Sequence, residues 1–190
     1  MVEEGEQRAI ETADVEKAER LHCLTSRYMS DVLDSASVAR VRKALERAGV
    51  ADTIIELPGA ARTAKAAAEF LGCDVGQIAN SLVFRGRTSG QALLVMSSGA
   101  KRVDLERLAQ IAGEPFGKAD AEFVRQASGF VIGGVAPVGH PAPLRTFVEE
   151  SLAAYAEIWA AAGHPHTVFR LTYPDLLRIT GGTAVKAATS

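Results

Sequence analysis

From residue 37 onward, glycine and proline divide the chain into short segments whose apolar residues alternate between helical and strand-like spacing. Val38, Val41 and Leu45 recur at helical spacing, whereas residues 53–57 form a β-branched run that a Pro-Gly pair closes. Short helices mixed with short strands and tight loops indicate one α/β (α+β) domain. Because the strands do not alternate regularly with long helices, a doubly wound parallel sheet is disfavoured.

The composition is that of an ordinary globular domain. The 190 residues are 47% hydrophobic and 23% charged with a net charge of −2, which excludes collagen-like and largely disordered chains. Two cysteines cannot form a disulfide framework, and no apolar run reaches the ~20 residues of a membrane span. We therefore expect one soluble, cytoplasmic domain without a membrane partner.

Acidic residues are concentrated near the N-terminus. Residues 1–35 hold nine Asp and Glu against four Arg and Lys, whereas residues 36–190 hold fourteen acids and seventeen bases. We expect residues 1–34 to form an acidic tail that is poorly ordered or loosely helical, residues 35–185 to form the domain, and residues 186–190 to form a short C-terminal tail. The mildly basic domain is compatible with a polyanionic partner, but an ordinary mixed-charge surface is the simpler explanation.

The segment Ile132-Gly-Gly-Val-Ala-Pro-Val-Gly-His140 is the motif most open to chemistry. We expect a short buried strand at residues 130–132 that runs into a glycine-rich loop. Glycines let the backbone approach a ligand, and consecutive free N–H groups can bind an anion or a developing oxyanion. The alternative is a tight turn that needs glycine only for its backbone freedom. Neither a dinucleotide-binding motif nor a P-loop is present.

The histidines and cysteines do not have the spacing of a metal site. His140 follows the glycine-rich segment, His164 and His166 flank a proline, and both cysteines are isolated. Each histidine is most simply a surface or turn residue, and we expect neither a metal nor another cofactor. The adjacent Lys101 and Arg102 form a basic corner, which is usually solvated and only sometimes contacts phosphate.

Six segments of the chain resemble, in sequence and in order, the YbaK/prolyl-tRNA-synthetase-associated aminoacyl-tRNA editing domains, which also occur as free-standing trans-editing proteins. They are residues 77–85, 94–99, 102–105, 131–140, 162–166 and 175–181. The resemblance covers about residues 35–185 and implies a single domain with a mixed, barrel-like β-sheet surrounded by helices. It also implies a strand within residues 155–162, where apolar spacing alone indicates a helix that starts at a capping box of Thr146 and Glu149.

The resemblance implies hydrolysis of the ester that joins a wrong, small amino acid to its tRNA. Residues 133–137 match the family's Gly-x-x-x-Pro loop, whose backbone binds the ester carbonyl as charge develops. The implied catalytic residues are Asn80, Gly133, Gly134 and Pro137. The implied substrate-binding residues are Ser81, Ser98, Lys101, Arg102, Val135, Ala136, Gly139, His140, His164 and His166. The implied partners are the acceptor end of a mischarged tRNA and, further, an aminoacyl-tRNA synthetase, but not DNA.

One position departs from the family pattern. The family's characteristic lysine falls on Asn80, which can donate hydrogen bonds but carries no charge. Three explanations remain open: a subfamily in which Asn fills the role, replacement by a nearby base such as Lys101, or lost activity. The first is favoured because the surrounding segment is intact. The alternative function is a binding module on the same fold that holds tRNA or an aminoacyl compound without cleaving it.

Overall fold

The computed structural model describes residues 31–189, so the predicted acidic tail lies almost entirely outside the described residues. The strands are β1 (Ile55–Glu56), β2 (Ile78–Gly86), β3 (Ala92–Ser98), β4 (Arg102–Val103), β5 (Phe116–Lys118), β6 (Arg145–Glu149), β7 (Ile158–Ala161), β8 (Thr167–Leu171), β9 (Thr183–Val185) and β10 (Ala188–Thr189). The main helices are α1 (Ala36–Arg47), α2 (Ala64–Leu71), α3 (Leu105–Ala112), α4 (Ala121–Ser128) and α5 (Tyr173–Thr180), with 3-10 helices at Val75–Gln77 and Glu150–Ala154. Within residues 31–189, no helix is both long enough and apolar enough to cross a membrane.

The predicted α/β class, with a mixed sheet surrounded by helices, is confirmed. Strands of the large sheet lie in the order β1-β8-β7-β2-β3-β6-β9, and β5 pairs with the far end of β2. Parallel and antiparallel pairs both occur, because β2 runs antiparallel to β3 but parallel to β7. Strand β3 is buried on both faces: Leu94 and Met96 belong to one apolar cluster, and Leu93 and Val95 belong to another.

Strand β2 has an edge that is only partly covered. On one side it pairs with β3 along most of its length. On the other side it pairs with β7 only through Ile78 and Ala79, and with β5 only through residues 84–86. Among the described strands, none covers residues 80–83 on this side. The sheet therefore has an opening between β7 and β5.

Helix α2 begins and ends at residues that are typical helix caps. The Thr63 hydroxyl oxygen accepts a hydrogen bond from the Ala66 N–H at 3.2 Å, and Gly72 ends the helix in the left-handed conformation. The small side chains of Ala67 and Ala68 let the helix pack close to Ile78. Helix α2 thus covers the end of β2 that adjoins the opening.

The strand implied at residues 155–162 is confirmed as β7, and the helix indicated by apolar spacing is wrong. Thr146 and Glu149 belong to β6, and although Glu149 directly precedes the 3-10 helix at Glu150–Ala154, its side chain makes no capping hydrogen bond. Burial alternates along β7, where Ile158 and Ala160 are buried and their neighbours are half-buried. The apolar spacing is misleading because it runs across a strand, a 3-10 turn and a second strand.

The strand expected at residues 130–132 is also wrong, because this segment is a turn. Phe130 is buried, but Val131 is 50% exposed and Ile132 is 60% exposed. The Gly134 N–H donates to the Val131 carbonyl at 3.0 Å, and Gly133 has a φ of +91°, which favours glycine. The turn leads directly into the glycine-rich loop.

The end of the chain is tied to the basic corner. In the predicted C-terminal tail, Ala188 and Thr189 form β10, which pairs with Arg102 and Val103. The Asp104 N–H also donates to the Ala187 carbonyl at 2.8 Å. These bonds fix the backbone at Arg102.

Candidate active site

A cavity of about 530 Å³ lies at the opening of the sheet. Asn80 and Ser81 of β2 line it, as do Gly133 and Val135 of the glycine-rich loop. The start of α2, the segment after β3 and the corner between β7 and β8 complete the walls. Residues far apart in sequence therefore meet around one cavity, which includes Asn80 and two residues of the predicted oxyanion-binding loop.

Asn80 is half-buried, and its side-chain amide makes no hydrogen bond to any residue within 31–189. Both the carbonyl and the NH₂ end of the amide are thus available to a ligand. Backbone groups of β2 are available as well. The Gly86 N–H bonds Gln91 and the Ile78 carbonyl bonds Gly99, both on the β3 side. Because successive residues of a strand point to opposite edges, the main-chain groups of Ser81 face the opening.

The glycine-rich loop has main-chain donors that are not used within the described part of the chain. No acceptor among those residues bonds the N–H groups of Gly133, Val135 or Ala136. The Gly134 N–H, by contrast, already donates to the Val131 carbonyl. The loop can therefore supply donors to a developing oxyanion through the amides around Gly134, but not through Gly134 itself.

Gly134 has a different function in the loop, which is to allow close packing against the corner before β8. A Cβ at position 134 would lie 2.9 Å from the Cα of His164, a main-chain atom that cannot rotate away. The corner is held by the Thr167 hydroxyl, which donates to the His164 carbonyl at 3.1 Å. This contact brings the loop next to Pro165 and Thr167, both of which line the cavity.

The predicted histidines lie beside the cavity rather than in its lining. The His164 ring accepts a hydrogen bond from the His166 N–H at 3.2 Å. Burial, and next to it the neighbouring His166, lower the pKa of His164 below its usual value. His164 therefore favours the neutral form and shapes the corner.

Pro137, Gly139 and His140 face a second, separate cavity of about 330 Å³. The His140 ring donates through Nε2 to the Ala136 carbonyl at 2.9 Å. Burial lowers the pKa of His140, and the bond to Ala136 only partly opposes this. His140 is thus a neutral donor that holds the glycine-rich loop from behind.

The two predicted serines have different surroundings. Ser81 lines the cavity, with its hydroxyl 3.4 Å from the Met96 sulfur. Ser98 does not line it: the buried Ser98 hydroxyl donates to the Gly76 carbonyl at 2.9 Å. Ser98 therefore fastens β3 to the 3-10 helix and is not placed to contact a ligand.

The cavity is bordered by positive charge. The predicted Lys101 and Arg102 line it together with Arg62 and Lys65, and its lining contains no Asp or Glu. Sequence reasoning missed Arg62, Lys65 and Trp159, another lining residue. Arg62 directly precedes the Thr63 helix cap, but no local pattern indicates that this helix start faces β2. Within residues 31–189, no three His, Cys, Asp or Glu side chains converge as metal ligands do.

Comparison with known proteins places these features in a family. Residues 59–179 match the model of the aminoacyl-tRNA editing domain. The solved structure described as "Crystal structure of a putative trans-editing enzyme for prolyl tRNA synthetase" is 44% identical, with a TM-score of 0.76, and the alignment covers 82% of this chain and 99% of that one.

Two curated bacterial proteins are more distant relatives. "Uncharacterized protein YwhH" of Bacillus subtilis is 28% identical over 65% of this chain and 78% of its own length. "Putative Cys-tRNA(Pro)/Cys-tRNA(Cys) deacylase EbsC" of Enterococcus faecalis is 27% identical over 67% of this chain and 77% of its own length. The matched region contains Asn80, the glycine-rich loop and the corner before β8. The chain belongs to the aminoacyl-tRNA editing domain family.

Proposed function

We propose that this chain is a trans-editing aminoacyl-tRNA deacylase, which hydrolyses the ester of a tRNA mischarged with a small amino acid. The observation that carries the proposal is the single cavity shared by Asn80, Gly133 and Val135. A ligand in that cavity meets a neutral side-chain amide on one wall and the glycine-rich loop on another. This is an arrangement suited to an ester carbonyl.

Hydrolysis of an aminoacyl ester requires that the ester and a water molecule be positioned, and it does not require a strong nucleophile from the protein. An aminoacyl ester is already activated, so holding it next to water and the sugar hydroxyl supplies much of the rate acceleration. As water adds to the carbonyl carbon, negative charge develops on the carbonyl oxygen. The N–H groups of Gly133 and Val135, which both line the cavity, and the NH₂ group of Asn80 are the proposed donors to that oxygen.

Size selection follows from the small residues in the cavity walls. Ala64, Ala67, Ala79, Ala160 and Ala161 line the cavity together with the bulky Trp159. A volume of about 530 Å³ is within the range of small-molecule sites and leaves room for the terminal nucleoside beside a small side chain. Each extra methylene on the amino acid changes discrimination by about 1–3 kcal/mol.

The tRNA is proposed to be held through its phosphates. Arg62, Lys65, Lys101 and Arg102 are the cations beside the cavity. The lining itself contains no carboxylate, and Lys65 also pairs with the exposed Glu69 at 4.0 Å. Phosphate contacts of this kind give affinity without sequence readout. The ability to distinguish one tRNA from another would then depend on other contacts, such as those made by an aminoacyl-tRNA synthetase acting as a partner.

The names of the relatives suggest which substrate to test first. EbsC is named for Cys-tRNA(Pro) and the solved neighbour for prolyl tRNA synthetase. We therefore propose mischarged tRNA(Pro) as the first substrate to examine, and the cytoplasm, where charged tRNA is used, as the compartment.

The direct test is deacylation of a panel of mischarged tRNAs by the purified chain. Release of amino acid above the buffer rate from at least one small-residue ester supports the proposal. Saturable binding of a mischarged tRNA, with no release of amino acid from any tRNA of the panel, supports the alternative function. In that case the protein is a binding module that has lost hydrolysis, and it carries the uncharged Asn80 where the family has lysine. If the protein neither releases amino acid from any of these tRNAs nor binds any of them, both functions are contradicted.

A further inference from the structure

Asn80 faces a buried serine across the sheet. In the pairing of β2 with β3, Asn80 lies directly opposite Ser97, so both side chains point to the same face. Ser97 is 1% exposed, and its hydroxyl has no hydrogen-bond partner among the described residues. A buried hydroxyl without a partner reduces stability and needs an explanation.

The neighbouring serines do not share this property. The Ser81 hydroxyl contacts the Met96 sulfur, and the Ser98 hydroxyl donates to the Gly76 carbonyl. Of these three serines on adjacent positions of β2 and β3, Ser97 alone has a hydroxyl that is free to bond Asn80.

The chemistry of an amide explains why Asn80 would need such a neighbour. The two ends of the Asn80 side chain have nearly the same shape, but one only accepts hydrogen bonds and the other only donates them. Within residues 31–189, no hydrogen bond fixes which end faces the cavity. An ammonium group at the same position would need no orienting partner, because it donates in every direction.

We infer that Ser97 is a positioning residue for Asn80, an inference that rests on the proposed deacylase function. The Ser97 hydroxyl donates to the Asn80 carbonyl oxygen when substrate is bound, which turns the NH₂ group toward the ester carbonyl. Ser97 does not touch the substrate. Its contribution is made entirely through Asn80.

The test is a double-mutant cycle measured by single-turnover deacylation of the mischarged tRNA that the wild-type protein cleaves best. Ser97→Ala is expected to lower the rate about tenfold, the effect of losing one hydrogen bond in the transition state, and to leave KM unchanged. Because the substitution removes an unpartnered buried hydroxyl, the melting temperature should be unchanged or higher. In the Asn80→Ala background, Ser97→Ala should have no further effect on the rate.

Two other variants keep the result interpretable. Thr146→Val removes another buried hydroxyl, on the adjacent strand β6, and should leave the rate unchanged. Ser97→Cys retains the side-chain shape but has only a weak donor, so it should also be slow, and it replaces Ser97→Ala if that variant does not fold.

The possible failures are distinguishable. A wild-type protein that releases no amino acid overturns the proposed function and this inference with it. An active wild type whose Ser97→Ala variant keeps the full rate overturns the inference alone. The inference is also overturned if Ser97→Ala lowers the rate equally in the wild-type protein and in the Asn80→Ala variant.

Discussion

The main chain of Gly134 packs against the main chain of His164 so closely that no side chain fits between them. A Cβ added at position 134 would lie 2.9 Å from the Cα and carbonyl carbon of His164. Because both partners are backbone, neither can yield by changing a rotamer. This contact sets the distance between the glycine-rich loop and the corner that completes the cavity wall.

Gly134→Ala should therefore displace the loop and impair both stability and hydrolysis. We expect a loss of about 1–3 kcal/mol in the free energy of unfolding, which is typical of overpacking, and at least a tenfold fall in kcat. Chemical denaturation and single-turnover deacylation measure the two effects.

Gly59→Ala is the matched control for that substitution. The atoms nearest to its added Cβ would belong to the ring of Phe70, which is 44% exposed and can move away. Stability and rate should both stay close to the wild-type values. If Gly134→Ala behaves like Gly59→Ala, the close contact does not shape the site.

Asn80→Ala tests the proposed oxyanion donor. The Asn80 side chain makes no hydrogen bond to the described residues, so its removal should leave the melting temperature unchanged. Loss of one donor to the transition state should lower kcat about 100-fold with little change in KM. A variant that retains wild-type kcat would show that Asn80 is not part of the reaction.

Arg62→Ala and Arg102→Ala test the proposed phosphate contacts. Each should weaken tRNA binding and reduce the slope of log K against log salt by about 0.7–0.9, the contribution of one phosphate contact. Arg47→Ala, which removes an exposed cation at the end of α1, should leave the slope unchanged. Binding measured by fluorescence anisotropy at several salt concentrations gives the slopes. Equal slopes for all four proteins would mean that the tRNA does not use this side of the cavity.

Stability should depend on pH through His140. Burial lowers the pKa of His140 in the folded protein below its ordinary value of 6.5, so the unfolded chain binds the proton more tightly. The free energy of unfolding therefore falls as the pH drops below 6.5 and through the lowered pKa. His140→Gln removes this group, and its unfolding free energy should fall less steeply over the same range. Denaturation curves from about pH 8 to 5 measure the difference. Parallel curves for the two proteins would contradict this explanation.

Local signals in the sequence predict the elements that begin and end at capping residues. Helix α2 is an example, because Thr63 and Gly72 satisfy the free groups at its two ends. Asp104 and Asp120 begin α3 and α4 in the same way. Such interactions involve residues three or four positions apart, so the sequence displays them directly.

Apolar spacing is less reliable where the chain changes direction. Val131 and Ile132 have the composition of a buried strand, yet both are exposed because the bond between Gly134 and Val131 closes a turn. At β7 the family resemblance corrected a helical interpretation that spacing alone supports. Tertiary contacts, which local composition does not encode, decide both segments.

The candidate site likewise contains some residues that the sequence identifies and others that only tertiary contacts reveal. The glycine-rich loop could be identified from the sequence because its residues match those of a family. Asn80 could be identified because the segment around it matches, although the family has lysine at that position. The contributions of Arg62 and Ser97 could not, since one depends on where α2 starts relative to β2 and the other on strand register. Conversely, Ser98 and His140 carry side chains that could bind a substrate, but both donate their hydrogen bonds within the protein instead. Ser98 bonds the Gly76 carbonyl and His140 bonds the Ala136 carbonyl.

The most direct test of the account is a titration, followed by two-dimensional NMR, with an adenosine analogue that carries a small amino acid through a non-hydrolysable amide. We predict that the largest shifts occur at the backbone amides of Gly133 and Val135 and at the side-chain amide of Asn80. The signals of Phe116 and Phe123, which line a separate cavity of about 700 Å³, should not move. Shifts confined to that other cavity, or no shifts at millimolar analogue, would contradict the claim that Asn80 and the glycine-rich loop form one binding site.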